Sequence, residues 1–337
     1  MYLKQLFFSI LVLGSLLNAN AQDPQLSQFY AAPLYLNPGF TGTSEGNRVA
    51  LVNRIQWPGL SQAFNTYTFS FDKSVDHLNS GFGVFLMADK MGSANLTTFN
   101  GSFNYSYKLK ISDKIMFSPG ISFGVVRRQL DAQKLLFGDQ LDFDNVTPGT
   151  SDPIIRDIRP VTFMDFGTGL LVYSRQFWGG ISVSHMNSPS YSLTGEDIRL
   201  PAKLTVHGGV KLKIGEPKSR QAEPVSLLPS FIYRKQGRYD QLDVGAQLNY
   251  LPIKIGFWYR GIPIQQEIED NINHDAVVLM FGIEINKLHF GYSYDITVSE
   301  LGPRAGGSHE VSVIYDFPTF SRGKITRKEK FMPCPRF

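Results

Sequence analysis

Apolar and polar side chains alternate with a period of two along most of this 337-residue chain, and no other feature restricts its fold so strongly. The pattern is plainest where Leu242, Val244, Ala246, Leu248 and Tyr250 interleave with Gln241, Asp243, Gly245, Gln247 and Asn249. It returns at Phe99, Phe103, Tyr105, Tyr107 and Leu109 against Thr98, Asn100, Ser102, Asn104, Ser106 and Lys108. It appears again at Leu288, Phe290, Tyr292, Tyr294 and Ile296 against His289, Ser293, Asp295 and Thr297. Successive side chains of a strand point to opposite faces of a sheet, so each stretch is a ribbon with one greasy and one wet face. Nothing in the chain suggests a layer of helices to cover those apolar faces. They must pack on a second sheet or face lipid.

The first residues bear on that choice. Lys4 precedes an apolar run from Leu6 to Leu17, and Ala19-Asn20-Ala21 has the small-x-small form of a leader-peptidase site. Residues 1–21 therefore read as a signal peptide whose removal leaves Gln22 first. No cysteine lies near the cut, so a lipid-anchored lipoprotein is not indicated. The single cysteine, Cys334, permits neither an intramolecular disulfide nor a metal cluster built from cysteines. No later run reaches the roughly 20 apolar residues that a membrane-spanning helix needs. Two homes remain for an exported chain of this kind, a soluble β-sandwich or an outer-membrane barrel.

The formal net charge of +4 is concentrated at the ends. Lys4 belongs to the leader, and from Pro318 to Phe337 the cations Arg322, Lys324, Arg327, Lys328, Lys330 and Arg336 face Glu329 alone. The body is close to neutral. A short basic end on such a body reads as a solvated or lipid-surface segment rather than a nucleic-acid site.

Turns and alternation together predict about fourteen strands, each at least as long as the roughly 9–11 residues that cross a bilayer, at 47–57, 64–73, 80–90, 95–110, 113–129, 162–174, 176–186, 202–214, 225–236, 239–251, 253–261, 275–285, 287–298 and 308–317. Tight turns at 110–113, 174–176, 251–252 and 286–287 alternate with longer loops at 130–161, 187–201, 262–274 and 299–307. Short turns at one rim and long loops at the other are the outer-membrane arrangement. The expected fold class is all-β: a transmembrane antiparallel β-barrel of about 14 strands following a cleaved signal peptide. The plan is a leader at 1–21, a periplasmic N-terminal segment or plug at 22–46, the barrel at 47–317 and a basic periplasmic tail at 318–337.

Such a barrel is too wide for ordinary lumen side chains to fill, since filling works near eight strands. Arg48, Arg54, Lys108, Lys203, Lys211, Lys213, Lys254 and Arg260 fall on the inferred lumen face, offset in part by Asp165, Asp243, Glu284 and Asp295. Either 22–46 or the loop 130–161 is expected to fold inward and close it.

Catalytic signals are weak. None of the six histidines has HxxxH or HExxH spacing, and Ser182, Ser184, His185 and Asn187 form the one cluster that invites inspection. Alternation puts Ser184 and His185 on opposite faces, which disfavours a working dyad. Asp142-Phe143-Asp144-Asn145 resembles the opening of a calcium loop but lacks the later glycine and glutamate. Gly167-Thr168-Gly169 and Gly81-Phe82-Gly83 lack the following helix of a nucleotide fingerprint and read as strand glycines that ease curvature. No cofactor, metal site or catalytic residue is expected.

One segment departs from the alternation. Asp23-Pro24-Gln25-Leu26-Ser27-Gln28-Phe29-Tyr30 is followed by Pro33-Leu34-Tyr35-Leu36-Asn37-Pro38-Gly39-Phe40-Thr41-Gly42. Its prolines forbid a regular helix and disfavour a central strand, while its aromatics ask to be buried, most simply in the periplasmic mouth or lumen. These residues resemble the opening of the PorP/SprF family, outer-membrane proteins of the Bacteroidota associated with type IX secretion and gliding motility. The D-P-x-x-S-Q-[YF] element matches at Asp23, Pro24, Ser27, Gln28 and Phe29. The N-P-L-Y-x-N-P-[AG]-[FY]-x-G element matches from Pro33 to Gly42, with Ala32 in place of the usual asparagine. Arg54-Ile55-Gln56-Trp57 looks like the family's R-x-Q-W, and Cys334-Pro335-Arg336-Phe337 resembles a common C-terminal ending.

The resemblance implies a non-catalytic protein that helps to move or hold surface adhesins bearing a type IX C-terminal sorting domain. It also implies contact with periplasmic secretion components, in some members through a peptidoglycan-binding lipoprotein. On that reading Asp23, Pro24, Ser27, Gln28, Phe29, Tyr30, Asn37, Pro38, Arg336 and Phe337 are candidates for periplasmic contact. Phe137, Asp142, Phe143 and Asp144 are candidates for contact outside, and lipid surrounds the barrel. A transport channel for a small or hydrophobic solute is the alternative, and an outer-membrane hydrolase relying on His185 or His207 is the third reading.

Overall fold

The computed structural model describes residues 23–44, 46–60, 63–135, 137–142, 145–146, 150, 152, 154–215, 224–267, 271–298 and 305–317. The expected leader and the basic tail lie outside the described residues. Fourteen long antiparallel strands form the wall: β1 (Asn47–Gln56), β2 (Phe64–Val75), β3 (Ser80–Met91), β4 (Leu96–Tyr107), β5 (Ile115–Gln129), β6 (Val161–Tyr173) and β7 (Phe177–Ser184), followed by β8 (Lys203–Val210), β9 (Ser226–Gln236), β10 (Tyr239–Tyr250), β11 (Ile253–Glu267), β12 (Asn271–Ile285), β13 (Leu288–Thr297) and β14 (Ser308–Phe317). Two short pieces, Leu109–Ser112 and Leu212–Lys213, extend β4 and β8 at one rim. Each strand pairs with its sequence neighbours, and β1 pairs with β14 from Asn47↔Phe317 to Gln56↔Ser308, so the sheet closes without a free edge. Closure satisfies the backbone of every wall strand internally, which lipid requires.

The alternation sorts as read. Val244, Leu248 and Tyr250 point out of the barrel, while Asp243, Gln247 and Asn249 between them are buried inside. Phe99, Phe103 and Tyr107 face outward in the same way, as do Phe290, Tyr292 and Ile296. The result is an apolar belt around a polar interior.

Three features differ from the sequence reading. The expected loop 262–274 is mostly strand, because β11 runs on to Glu267 and β12 begins at Asn271. Register shifts between Arg260 and Gly261 and between Ile262 and Gln266 let the pairing pass Pro263. Tight turns are not confined to one rim, since Gly92–Asn95 and Gly237–Arg238 close hairpins on the long-loop side. Finally, Lys213 is exposed on the rim extension of β8 rather than enclosed in the lumen.

The interior is also less uniformly polar than expected. Met116, Leu171, Tyr173, Trp178, Leu228, Ile232, Trp258, Val278 and Met280 project inward and pack with Phe29, Leu36 and Phe40 into one buried cluster. It occupies the half of the lumen nearer the short turns. A barrel of this width therefore acquires a core like that of a soluble protein, with residues 23–44 supplying its centre.

Candidate functional site

Residues 23–44 run down the lumen from the long-loop rim to the short-turn rim, where β1 begins. Their prolines shape the path. Pro33 and Pro38 each start a single helical turn, Pro33–Leu36 and Pro38–Phe40, at the position where a missing N–H costs nothing. Phe29–Ala31 makes a third short turn. Asn37 caps the Pro38 turn by accepting the Gly39 N–H at 2.7 Å. These turns bond only part of the segment's backbone internally, and the wall supplies partners for carbonyls they leave over. Ser106 donates to the Thr41 carbonyl at 2.6 Å, Ser118 to Gly39 at 2.9 Å and Ser182 to Leu36 at 2.8 Å.

Wall glycines take on a role beyond curvature where the segment presses closest. Gly169 and Gly180 face Asn37, Gly120 faces Pro38, and Gly81 faces the Thr41 carbonyl. A Cβ at any of these four positions would overlap the segment. The Asn37 amide nitrogen uses this room to reach the carbonyls of Leu170 at 3.1 Å and Ile181 at 3.3 Å, and Nε2 of His207 at 3.1 Å.

Charge is concentrated around Ser27 and Gln28. Ser27 donates its backbone N–H to Glu310 Oε2 at 2.8 Å and its hydroxyl to Asp295 at 2.7 Å, while accepting from Arg54 at 2.8 Å and Arg260 at 2.9 Å. Arg54 pairs with Asp295 and Glu310, Arg260 with Asp295 and Asp243, and Arg234 with Asp243. The Gln28 side chain donates to Ser293 and to the Glu310 carbonyl and accepts from Tyr30. Removing these charges from water costs several kcal/mol per ion, on the order of the loss a buried pair suffers when broken, so the network tolerates no missing member cheaply. Phe29 packs edge-on against Trp258 with centroids 5.9 Å apart.

The N-terminal end of the segment sits at the opposite rim from the one expected. Asp23 donates its backbone N–H to Gln236 at 3.1 Å, and its carboxylate accepts from Lys203 and, at 2.8 Å, from His185 Nε2. Gln236, Lys203 and Ser184, the residue before His185, all lie at the long-loop ends of their strands. Burial alone would push the Asp23 carboxyl up, but Lys203 and His185 outweigh it and hold the group well below the usual carboxylate range. Burial opposes charge on His185 as well. There the Asp23 charge and the hydrogen bonds to Asp165 and Asp23 win, and the imidazole is raised to about 9. His185 is thus held between two carboxylates, and Ser182 is engaged by Leu36, so the serine–histidine cluster is not assembled as a dyad. His207 is stacked on Phe40.

The residues proposed for periplasmic contact are therefore placed differently. Ser27, Gln28, Phe29, Asn37 and Pro38 are buried in the lumen against the barrel's own wall, Tyr30 is half-buried beside them, and Asp23 and Pro24 border chambers near the long-loop rim. The physical reason is that luminal arginines and carboxylates need partners more than solvent or an outside protein does. Arg336 and Phe337 lie outside the described residues. Phe137 is half-buried in the loop between β5 and β6, its N–H donating to Gln140, and Asp142 pairs through its backbone with Asn145 in a two-residue hairpin. Phe143 and Asp144 lie outside the described residues.

Two chambers open beside Asp23, Pro24 and Tyr35, and these residues border both. The larger, of about 450 Å³, is polar and ringed by Arg54, Gln56, Trp57, Arg234, Gln241 and Asp275. The smaller, of about 100 Å³, lies against β3–β6 and is bordered by Tyr191 and Leu200 from the loop after β7. The alternation did not predict the apolar luminal core. Runs in which both faces are apolar, such as Leu170-Leu171-Val172-Tyr173 and Val277-Val278-Leu279-Met280-Phe281, were the available signal, since a strand covered on both sides reads that way.

Comparison with known proteins follows this geometry. The model of the type IX secretion system membrane protein family PorP/SprF matches residues 18–315. No curated protein sequence matches the chain. Among solved structures, the outer membrane protein Omp33 of Acinetobacter baumannii superposes with a TM-score of 0.44 at 7% identity, covering 82% of this chain and 100% of that one. The toluene transporter TodX of P. putida gives 0.45 at 11% identity, over 84% and 93% of the two chains. CdiB from Acinetobacter baumannii gives 0.45 at 8% identity, over 81% and 60%. With its sheet closed into a lipid-belted barrel and its family's model spanning most of its length, the chain belongs to the PorP/SprF family of type IX secretion system membrane proteins and resides in the outer membrane.

Proposed function

We propose that this barrel is a non-catalytic receptor that binds a secreted adhesin through its type IX sorting domain at the long-loop rim and engages periplasmic secretion components at the short-turn rim. The observation that carries this reading is the occupied lumen: residues 23–44 thread it from rim to rim and join a buried apolar core in its short-turn half. A wall so filled suits a binding and coupling role better than free conduction. Long loops face outward in outer-membrane barrels, so in this reading the cargo surface comprises the loop sequence that carries Phe137, Asp142, Phe143 and Asp144. The periplasmic surface comprises the short-turn rim and the tail that follows β14, including Arg336 and Phe337. In this reading the luminal segment is the mechanical link between the two rims.

Affinity purification of the full-length protein from native membranes tests this. Co-purification of an adhesin with a sorting domain, reduced when residues 137–144 are replaced by glycine and serine, is the expected result. Adhesin display that continues unchanged after deletion of the gene overturns it.

A further inference from the structure

The smaller chamber is bordered by two opposite charges, Asp89 and Arg128, that form no ion pair among the described residues. Asp89 on β3 is 2% exposed, accepts one hydrogen bond, from Thr66 at 2.6 Å to Oδ1, and leaves Oδ2 buried with no partner. No cation among the described residues forms an ion pair with it. The luminal carboxylates Asp72, Asp295, Glu310, Asp243 and Glu284 each have one. Along the same level of the wall, Asp89 pairs with Thr98 and Thr98 pairs with Arg128 on β5. Arg128 also borders this chamber, has a buried Nε without a partner, and lies over the Tyr191 ring at 4.7 Å rather than against a carboxylate. Asn100, two residues along from Thr98, adds a buried, unpartnered acceptor oxygen.

An unpaired buried carboxylate is costly, and an unpaired buried guanidinium nitrogen in the same chamber is a second cost of opposite sign. Both are relieved together by one ligand carrying a cation at one end and an anion at the other. One strand, β4, lies between Asp89 and Arg128, and the two inter-strand steps make a backbone spacing of about 10 Å, which favours a ligand whose charges are several methylenes apart. Phe85, Met87 and Tyr191 provide apolar surface for the stem between them. We propose that this chamber binds an ω-amino carboxylate, with the ammonium received by Asp89 and Asn100 and the carboxylate by Arg128. A free ω-amino acid and the C-terminal lysine of a peptide share that chemistry.

Calorimetric titration of the full-length protein in nanodiscs tests the proposal with two probes, 6-aminohexanoate for the free compound and Nα-acetyl-lysine for the peptide end. Binding of either supports the site, and the tighter probe identifies the source. Asp89→Asn is expected to weaken that probe at least tenfold. Arg128→Leu is expected to weaken it similarly while leaving binding of the corresponding amide, which lacks the carboxylate, unchanged; this second variant separates recognition from any folding defect. Absence of binding by both probes at 10 mM, roughly the limit of useful affinity for so small a ligand, overturns the proposal. So does an Asp89→Asn variant that folds and binds like the parent.

Discussion

The backbone N–H of Gln28 lies 2.7 Å from a carboxylate oxygen of Glu310, and the Gln28 side-chain amide lies 2.8 Å from the Glu310 carbonyl, both residues being fully buried. This two-point clasp joins residues 282 positions apart and ties the luminal segment to the last strand of the barrel. Glu310 also accepts from Ser27 and Arg54, so its charge is shared among three donors, the Gln28 N–H included, and cannot be lost quietly.

Replacing Glu310 with Gln leaves the buried Arg54 short of an anion and presents an amide to donors that need an acceptor. A loss of about 3–5 kcal/mol is expected, the cost of breaking a buried pair. Gln28→Ala removes only neutral hydrogen bonds and is expected to cost about 1–3 kcal/mol. Urea unfolding of the refolded barrel in liposomes measures both, and equal costs for the two variants contradict the role given to Glu310.

Gly169→Val introduces a Cβ into the space occupied by the Asn37 side chain. The middle of the luminal segment is then expected to lift from the wall, exposing its backbone. Limited proteolysis between residues 30 and 40 reports this, and the parent protein is expected to resist cleavage there. Single-channel recording supplies a second readout: little conductance in the parent and a clear rise when residues 23–42 are deleted.

The rim contact of Asp23 responds to pH in two opposite ways. His185 is raised to about 9 from an unfolded value near 6.5, so its contribution is fully present below about pH 6.5 and is lost as pH rises through about 9. The Asp23 carboxyl is depressed, so its contribution is present above about pH 4 and is lost as pH falls below that. Attachment of this end is strongest between those limits. Hydrogen exchange of residues 23–26 is expected to accelerate from pH 6.5 to 9 beyond its intrinsic rise, and His185→Gln is expected to abolish that extra acceleration.

Val244 and Gln247 test the two faces of β10. Val244 points outward near the middle of the strand, and Val244→Arg is expected to destabilise the barrel in lipid by about 2–4 kcal/mol, the cost of a cation at midplane. Gln247 is buried inside among polar groups, where its amide donates to Asn249 at 2.6 Å. Gln247→Glu is expected to cost less, because the lumen already holds charge. A reversed order contradicts the assigned faces.

Much of this architecture was legible without coordinates. A period of two demands a face, the apolar side needs lipid where no helices cover it, and turns recurring at strand-length intervals set the number of strands near fourteen. The motif from Asp23 to Gly42 was legible as something apart from the wall, because it breaks the alternation and three prolines within fifteen residues disfavour a central strand. Its direction was not legible. Nothing in the local sequence shows which groups meet Asp23, because Lys203, His185 and Gln236 come from the ends of three distant hairpin segments that converge only when the sheet closes. Likewise, Gly120 and Gly169 look like any strand glycine until Asn37 and Pro38 press on them. By itself, then, the sequence determined a lipid-facing barrel, because alternation and hydrophobicity are local properties. Only the tertiary structure decided what fills it, because the filling depends on contacts between residues far apart in the chain that closure brings within bonding distance.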